Sequence, residues 1–321
     1  MNNNVRNDNH SATEPCAPNQ LGEVGAGVVG GPRGAVKDQT DPRRCLLCGG
    51  VRHRVVFKEF DIDVLQCLEC RHVFSSFAGD PHYSGFWGAE VANEVDPYWW
   101  KARDRMYQDF LAKFLTPRSG KLLDMGCGLG FFVRKVSGLP NWKAYGREIS
   151  PAAVRHARET LGLTTVSCGR LEDVEFPPGS FDVITFWDVI DHILCPDPVL
   201  QRCHALLRDG GICFLRTPNV SGQLLRARIN KLVRGMQPNV DYMQARDHFH
   251  LYSPVTVRKL LERNGFTRIE FLHLHPCQDP DGKALLRGAR NLGFQAVRAL
   301  ALLSGGHLNF DNLFVVAHRG A

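Results

Sequence analysis

Residues 121–130 read Lys-Leu-Leu-Asp-Met-Gly-Cys-Gly-Leu-Gly, and this stretch decides the fold class. A short apolar strand ends at Asp124, and glycines follow at alternate positions, namely Gly126, Gly128 and Gly130. Glycine permits the tight turn and leaves the backbone bare, so that a nucleoside-bearing ligand can lie against it. Residues 131–136 then favour an amphipathic helix. The pattern predicts the strand–turn–helix of a ligand-binding α/β sheet.

The residues around the turn indicate which ligand it takes. A dinucleotide fingerprint needs a small residue where Phe131 stands, and a P-loop needs Gly-Lys-Ser/Thr, which does not follow Gly130. Asp124 would repel a pyrophosphate but attract a cationic amino group. S-adenosylmethionine carries an ammonium, a sulfonium and a ribose diol, and it has no phosphate. The turn therefore favours S-adenosylmethionine.

A second acidic residue, Glu148, is also consistent with S-adenosylmethionine. Glu148 ends a predicted strand about 20 residues beyond the glycines, where a carboxylate can accept hydrogen bonds from both ribose hydroxyls. Ser150 and Pro151 follow as a helix N-cap and a proline at the first helical position. A solvated charge at a strand end is the alternative for Glu148.

Strand and helix patterns alternate along most of the chain. Strands are predicted near 121–125, 143–147, 164–168, 181–187, 211–216, 267–274 and 312–318, and helices near 101–115, 129–137, 151–160, 197–208 and 254–264. This alternation predicts a doubly wound parallel sheet with the ligand at the carboxyl ends of its strands.

Four motifs in this order resemble the class I S-adenosylmethionine-dependent methyltransferases, in particular the broad group of ubiquinone-biosynthesis-like and sugar or natural-product methyltransferases. The resemblance runs from about 120 to 275 and resumes near 311. It is carried by residues 124–130, Glu148, 179–194 and 206–217. It implies a Rossmann-like, mostly parallel seven-stranded sheet whose last strand lies antiparallel between the fifth and the sixth.

The resemblance also implies further cofactor contacts. Many relatives carry an acid that accepts from the adenine amino group, and Arg170 stands at that position here. Adenine contact is therefore expected from the Leu171 backbone or from Glu172. Trp187 and Asp188 are expected on the other side of the cofactor, and a core position for the Trp187 ring is the alternative.

Methyl transfer needs a positioned nucleophile and a group that removes its proton. His192, in the turn after the fourth strand of the main sheet, is the candidate base, because an imidazole titrates near neutral pH. Relatives usually have Glu-His here, and this chain has Asp191-His192. A structural role in the turn is the alternative for His192. His248 and His250 alternate, and both are candidates for the substrate pocket, with core or capping roles left open.

Two Cys-x-x-Cys pairs, 18 residues apart, precede the α/β pattern. The pairs are Cys45 with Cys48 and Cys67 with Cys70, and together they can give tetrahedral four-sulfur coordination of structural zinc. Gly49 and Gly50 are expected to supply positive backbone angles. Short strands at 51–57 and 63–66 would complete a small zinc ribbon. A redox site, which lacks the expected βαβ context, and two unrelated thiol pairs are the alternatives.

The chain is therefore divided into a disordered tail, a cysteine module, an aromatic cap and a main domain. Their bounds are 1–42, 43–77, 78–118 and 119–321, with insertions near 220–246 and 276–306. The tail has few large apolar residues to offset its chain entropy. The cap either covers the cofactor or packs on the sheet. Each insertion carries an amphipathic helix, at 220–246 and 283–304, which could be a lid, a partner surface or a solvated rim.

Composition limits the function classes. The chain has 321 residues, 44% of them hydrophobic, and a net charge of +6 that neither requires nor excludes a nucleic-acid partner. No apolar run approaches the roughly 18 residues of a membrane span, and no signal peptide is predicted. Eleven cysteines without a secretory signal indicate a reducing cytoplasm.

Together these features predict a cytoplasmic S-adenosylmethionine-dependent methyltransferase with a small-molecule acceptor. The methylated atom (oxygen, carbon or nitrogen) and the oligomeric state are not predicted. An RNA methyltransferase that binds nucleic acid through the zinc ribbon and basic helices is the alternative enzyme. A zinc-ribbon adaptor that binds the cofactor without catalysis is the alternative outside enzymes.

Overall fold

The computed structural model describes residues 43–77, 96–116, 118–238, 240–277 and 312–320, together with isolated positions between 288 and 299. The predicted tail at 1–42 lies outside these residues, as do the first half of the aromatic cap and most of the predicted helix at 283–304.

The elements follow the predicted alternation. The strands are β1 (His53–Glu59), β2 (Ile62–Cys67), β3 (Val73–Ser75), β4 (Gly120–Met125), β5 (Trp142–Glu148), β6 (Val166–Cys168), β7 (Phe181–Trp187), β8 (Leu207–Thr217), β9 (His250–Leu251), β10 (Phe266–Leu272) and β11 (Leu313–Arg319). The helices are α1 (Asp96–Phe110), which continues into a π-helical turn (Leu111–Leu115), α2 (Phe131–Ser137), α3 (Pro151–Glu159), α4 (Pro196–Leu206), α5 (Val220–Arg234) and α6 (Pro254–Arg263).

The main sheet has seven strands in the order β10-β11-β8-β7-β4-β5-β6. β4 runs parallel to β5 and β7, and β5–β6 and β7–β8 are also parallel pairs. β11 is antiparallel to both β8 and β10. The predicted mostly parallel seven-stranded sheet, with its last strand inserted next to the edge, is confirmed. β7 is buried along nearly all of its length, and β8 is buried from Gly211 to Thr217. Such burial is typical of parallel strands that are covered on both faces.

Local sequence explains where the helices begin. Ser150 caps α3 by accepting a hydrogen bond from the Ala153 N–H. Ser253 caps α6 in a reciprocal capping box with Thr256. Proline occupies the first turn of both helices, as the sequence indicates.

A second, four-stranded sheet has the order β1-β2-β3-β9. The sequence predicts β1 and β2, but it predicts neither β3 nor β9. β9 comes from the main domain and pairs antiparallel with β3, Val73 opposite Leu251 and Phe74 opposite His250. The cysteine region and the main domain therefore share a sheet, and they also share a hydrophobic core that includes Cys45, Phe74, Leu260 and Phe266.

The predicted basic helix of the first insertion is α5, and much of it faces solvent. Only its first half has buried residues, such as Gln223 and Ala227, whereas Leu232 is 86% exposed. Among the helices of the described ranges, none is both long and apolar enough to cross a bilayer.

Candidate functional site

The glycine turn after β4 has the predicted geometry. Gly126, Gly128 and Gly130 have φ of 69°, 53° and 86°, in the left-handed region that favours glycine. At Gly126 a Cβ atom would also lie 2.7 Å from the side chain of Val189, in the turn after β7. The backbone of this turn therefore approaches the turn after β7 as closely as a glycine allows.

Asp124 lies at the carboxyl end of β4 and is 2% exposed. Its Oδ1 atom accepts a hydrogen bond of 2.7 Å from the Thr185 hydroxyl. Burial raises the pKa of Asp124 to about 8, against the opposing effect of Thr185, and the charge of Glu148 adds to the rise. An approaching cation favours the ionised form of a carboxyl group with a raised pKa, which suits a ligand with an ammonium group.

Glu148 ends β5, the neighbour of β4 in the sheet. Its Oε2 accepts a hydrogen bond from the Gly128 N–H at 2.8 Å, and its Oε1 accepts one from the Ser150 N–H at 2.9 Å. Burial raises the pKa of Glu148, while these N–H groups act in the opposite direction. The two backbone contacts fix the orientation of the carboxylate and leave further lone pairs on both oxygens for ligand hydroxyls.

The remaining predicted cofactor residues occupy different environments. Glu172 accepts a hydrogen bond of 2.6 Å from Arg170 at the surface, and Leu171 packs partly buried against the core. The ring of Trp187 is 5% exposed and lies among the aromatic side chains of Tyr107, Phe110, Phe132 and Phe214. The Trp187 ring thus takes the core position that the sequence left as its alternative.

Asp188 is held by two arginines that sequence analysis missed. Its Oδ2 atom accepts a hydrogen bond of 2.8 Å from Arg103 on α1 and forms an ion pair with Arg216 at the end of β8. Asp188 itself has a φ of 57°, which is uncommon for a non-glycine residue. No local sequence pattern could find these partners, because they come from elements far apart in the chain.

The turn after β7 brings two of the predicted histidines together. The rings of His192 and His248 meet edge to face, with centroids 4.5 Å apart. His192 Nδ1 lies 3.0 Å from the carbonyl oxygen of Asp247, and since a carbonyl only accepts, Nδ1 donates. His248 Nε2 lies 3.3 Å from Oδ2 of the buried Asp191. Asp191 therefore joins the site, although the sequence analysis did not include it among the site residues.

His250 belongs to a different cluster from His248. Its Nε2 donates to the Leu194 carbonyl at 3.2 Å, so its Nδ1 accepts from His72 Nε2 at 3.0 Å. Both rings are fully buried, and burial lowers the pKa of His72 and lowers that of His250 to about 4. The His250 N–H also donates to the Asp191 carbonyl. The pair is a neutral link between the cysteine region and the turn after β7.

The loop that carries His248 rests on the cysteine region. Glu59, at the end of β1, is 3% exposed and accepts hydrogen bonds from the N–H groups of Tyr242, Met243 and Ala245, the last two at 2.8 and 2.7 Å. The Ser75 hydroxyl donates to the Ala245 carbonyl. These contacts, between residues about 170 or more positions apart, hold loop 242–249 in place.

The four cysteines of the two knuckles form one cluster. The Sγ atoms of Cys45 and Cys70 are 3.5 Å apart, those of Cys48 and Cys67 are 3.6 Å apart, and all four lie within 4.8 Å of one another. A tetrahedral zinc ion with Zn–S bonds of about 2.3 Å separates its sulfurs by about 3.8 Å, so the donor set fits zinc.

The backbone of the knuckles differs in one respect from the prediction. Gly49 has the expected positive φ of 73°, but Gly50 is not in that region, and the matching position of the second knuckle is Arg71, with a φ of 68°.

A family model described as a methyltransferase domain matches residues 99–270. A probable S-adenosylmethionine-dependent methyltransferase of Mycolicibacterium smegmatis is 28% identical over 122 residues, which are 38% of this chain and 46% of that protein. The ubiquinone biosynthesis O-methyltransferase of Vibrio parahaemolyticus is 28% identical over 171 residues, 50% of this chain and 69% of that protein. The chain spans about half the length of several curated relatives that it matches.

Among solved structures, a protein from Pyrococcus horikoshii aligns with a TM-score of 0.50 at 17% identity, covering 75% of this chain and all of that one (100%). At this identity the likeness concerns the fold alone.

Proposed function

Because this chain belongs to the methyltransferase-domain family, we propose that it transfers the methyl group of S-adenosylmethionine to a small-molecule acceptor. The observation that carries this proposal is the pair of buried carboxylates at the ends of adjacent parallel strands. Asp124 and Glu148 flank a turn of three glycines with positive φ, and the P-loop sequence Gly-Lys-Ser/Thr does not follow Gly130.

Each cofactor group has a partner in this arrangement. The ammonium pairs with Asp124, which it converts to the charged form, and the ribose hydroxyls donate to Glu148. Leu171 and Glu172 would contact adenine. Trp187 and Asp188 would line the other side of the cofactor, and Arg103 and Arg216 hold the Asp188 carboxylate.

The reaction is an in-line displacement at the methyl carbon. The bond from the acceptor atom to carbon forms as the carbon–sulfur bond breaks, and its electron pair stays on sulfur, giving the neutral thioether S-adenosylhomocysteine. The sulfonium is already activated, so the protein chiefly positions the acceptor and promotes loss of its proton. We assign that proton loss to the cluster of Asp191, His192 and His248, within which the sequence indicates His192.

We further propose that the four cysteines bind structural zinc. The sulfur–sulfur separations of 3.5 and 3.6 Å support four-thiolate coordination. Bound zinc would hold the two knuckles together and so keep the sheet that ends in β9 in register.

The test is production of S-adenosylhomocysteine by the full chain with a low-mass metabolite fraction and, separately, with an RNA pool. We expect turnover with the metabolite fraction. Asp124→Ala abolishes cofactor binding in calorimetry, whereas His192→Ala keeps it and lowers turnover by about 10²–10⁴-fold, the range for loss of a general base. His53→Ala, an imidazole in β1, is the matched control.

Each contrary result has a defined meaning. Turnover with RNA alone would contradict the small-molecule acceptor. Full activity of His192→Ala would remove that residue from the chemistry. If S-adenosylmethionine gave no heat while a pyridine dinucleotide bound tightly, the cofactor assignment itself would be wrong.

A further inference from the structure

Asp191 is a buried carboxylate whose side chain has no hydrogen-bonding partner among the described residues. It is 1% exposed, and neither Oδ1 nor Oδ2 accepts a hydrogen bond from the part of the chain that the structure describes. An ionised carboxylate in such a place is strongly disfavoured unless a charge compensates it. We therefore expect a cation to bind next to Asp191.

His248 is placed to share that cation. It is 4% exposed, and its Nδ1 also has no hydrogen-bond partner among the described residues. Its Nε2 lies 3.3 Å from Asp191 Oδ2, yet Oδ2 accepts no hydrogen bond, so the N–H direction misses the oxygen. Two atoms bound to one ion at about 2.1 Å each stand about 3.0–3.4 Å apart, which is the separation seen here.

His192 is oriented as metal-binding histidines usually are. Its Nδ1 donates to the Asp247 carbonyl, so the lone pair of the neutral ring is on Nε2. A ligating imidazole typically donates its other N–H to a carbonyl or a carboxylate, which fixes the tautomer and the ring orientation. The Asp247 carbonyl performs that role here.

We infer that Asp191, His192 and His248 form a binding site for a divalent transition-metal ion, distinct from the four-cysteine cluster. One ligand atom from each residue lies within 4.8 Å of those of the other two. Two imidazoles and one carboxylate favour Zn²⁺, Fe²⁺, Co²⁺ or Mn²⁺ over Mg²⁺ and Ca²⁺, which prefer oxygen ligands. Three protein ligands leave at least one coordination position for water or for an oxygen of the acceptor.

This inference rests on the proposed function and gives the acceptor a chemical class. Val189, two residues before Asp191, packs against Gly126 of the cofactor turn, so the cluster lies beside the cofactor site. A hydroxyl oxygen bound to the ion would have a lowered pKa, and its proton would pass to solvent water. The acceptor is then a hydroxylated molecule methylated on oxygen, and His192 promotes proton loss as a ligand of the ion.

The experiment measures metal binding independently of activity. The full chain is loaded with a single equivalent of zinc, which the four thiolates bind, and its metal content is measured. Co²⁺ alone is then titrated into it and followed by visible absorption. Wild-type protein is expected to take up one further equivalent, with the weak bands of nitrogen and oxygen ligands and without sulfur charge-transfer absorption.

Asp191→Asn, His192→Gln and His248→Gln are each expected to weaken this uptake by more than about 100-fold, since loss of a residue that only orients a ligand already costs about 10- to 100-fold. The zinc content of the cysteine cluster stays unchanged in each. His318→Gln on β11 is the matched control and keeps the second ion. His192 is partly exposed, so its variant serves if the two buried substitutions fail to fold.

The inference is overturned if wild-type protein takes up no second equivalent, or if the three variants bind Co²⁺ as it does. Calorimetry with S-adenosylmethionine separates this result from the proposed function. A protein that binds the cofactor but takes up no second ion contradicts only the metal site. A protein that takes up the ion but does not bind the cofactor contradicts the proposed methyltransferase activity.

Discussion

The two halves of the candidate site are built in different ways. The two carboxylates of the cofactor half come from one short stretch of chain, in which Asp124 and Glu148 end neighbouring strands of the main sheet. The acceptor half combines the turn after β7, the loop before β9 and supports from the cysteine region such as Glu59 and His72. The cofactor half can therefore form within the main sheet alone, whereas the acceptor half requires both sheets. Changes in the cysteine region should disturb acceptor chemistry and spare cofactor binding.

The largest effect that follows from this comparison is that of metal loss from the four cysteines. We expect Cys48→Ser, at the exposed member of the cluster, to abolish methyl transfer because β3 no longer holds β9. The Kd for S-adenosylmethionine should stay within about threefold of the wild-type value, a change in binding free energy of less than about 1 kcal/mol. Calorimetry and turnover measured on the same samples check this, with Cys195→Ser as control.

Glu59→Gln sharpens the same test, because it leaves the thiolates in place and removes a carboxylate that accepts three N–H groups of loop 242–249. Its zinc content should be normal and its acceptor KM raised. Equal losses of cofactor affinity and turnover in both variants would show that the two halves are not separable.

A second effect, about 100-fold, concerns the cofactor half alone. Asp124→Asn keeps the shape of the side chain but cannot pair with the ammonium. Loss of one partner of a buried charge pair typically costs about 2 kcal/mol or more. A 100-fold weaker Kd corresponds to about 2.7 kcal/mol. Calorimetry should show the weaker Kd, and metal content should be unchanged. Asp209→Asn, a mostly exposed acid in an ion pair with Arg319, is the control.

The pKa of Asp124 predicts that the affinity for S-adenosylmethionine depends on pH, by up to about tenfold per pH unit. With a pKa of about 8 the free carboxyl is protonated at about pH 6.5, where the ligand ammonium is charged, so binding should release about one proton. Calorimetry in two buffers of different ionisation heat measures that proton, and Asp124→Asn should not release it. Identical heats for the wild-type protein in both buffers would contradict the assignment.

The same carboxyl sets the sign of a stability change. Its folded pKa of about 8 lies above the 3.8 of a freely solvated aspartate, so the folded protein binds more protons between these values. The unliganded protein should therefore lose stability as the pH rises through that window, and saturating cofactor should reduce the loss.

The smallest effect is expected for Thr185→Val, which removes the hydroxyl that donates to Asp124 while keeping the side-chain volume. One hydrogen bond to a charged group contributes about 1.5 kcal/mol, so cofactor affinity should fall by roughly tenfold or less. Because the hydroxyl lowers the pKa of Asp124, proton release should persist to a higher pH in the variant. An unchanged affinity would mean that Thr185 does not act on the carboxylate.

The sequence predicts the main sheet well because its signals are local. The glycine turn, the acids at strand ends and the Ser-Pro helix starts each depend on a few adjacent residues, and the structure has them at the predicted places. The strand order, including the position of β11, came from the family resemblance and is confirmed.

The acceptor half was less predictable because its contacts join distant residues. β9 has only two residues, which are too few for a periodic sequence pattern. Neither the sequence of β3 nor that of β9 therefore predicts that the two strands pair. His248 and His250 look equivalent in sequence, but residue 248 precedes the strand, so the two imidazoles reach different clusters. Glu59 carries no motif at all.

The pairing of β3 with β9 has a consequence for the nascent chain. The two strands are about 180 residues apart, so at 5–20 residues per second roughly 10–35 s separate the synthesis of one from that of the other. During that interval β3 presents an unpaired edge, and His72 lacks the ring that accepts from it. An open edge of this kind is prone to wrong pairing, which makes the early chain a natural client for chaperones.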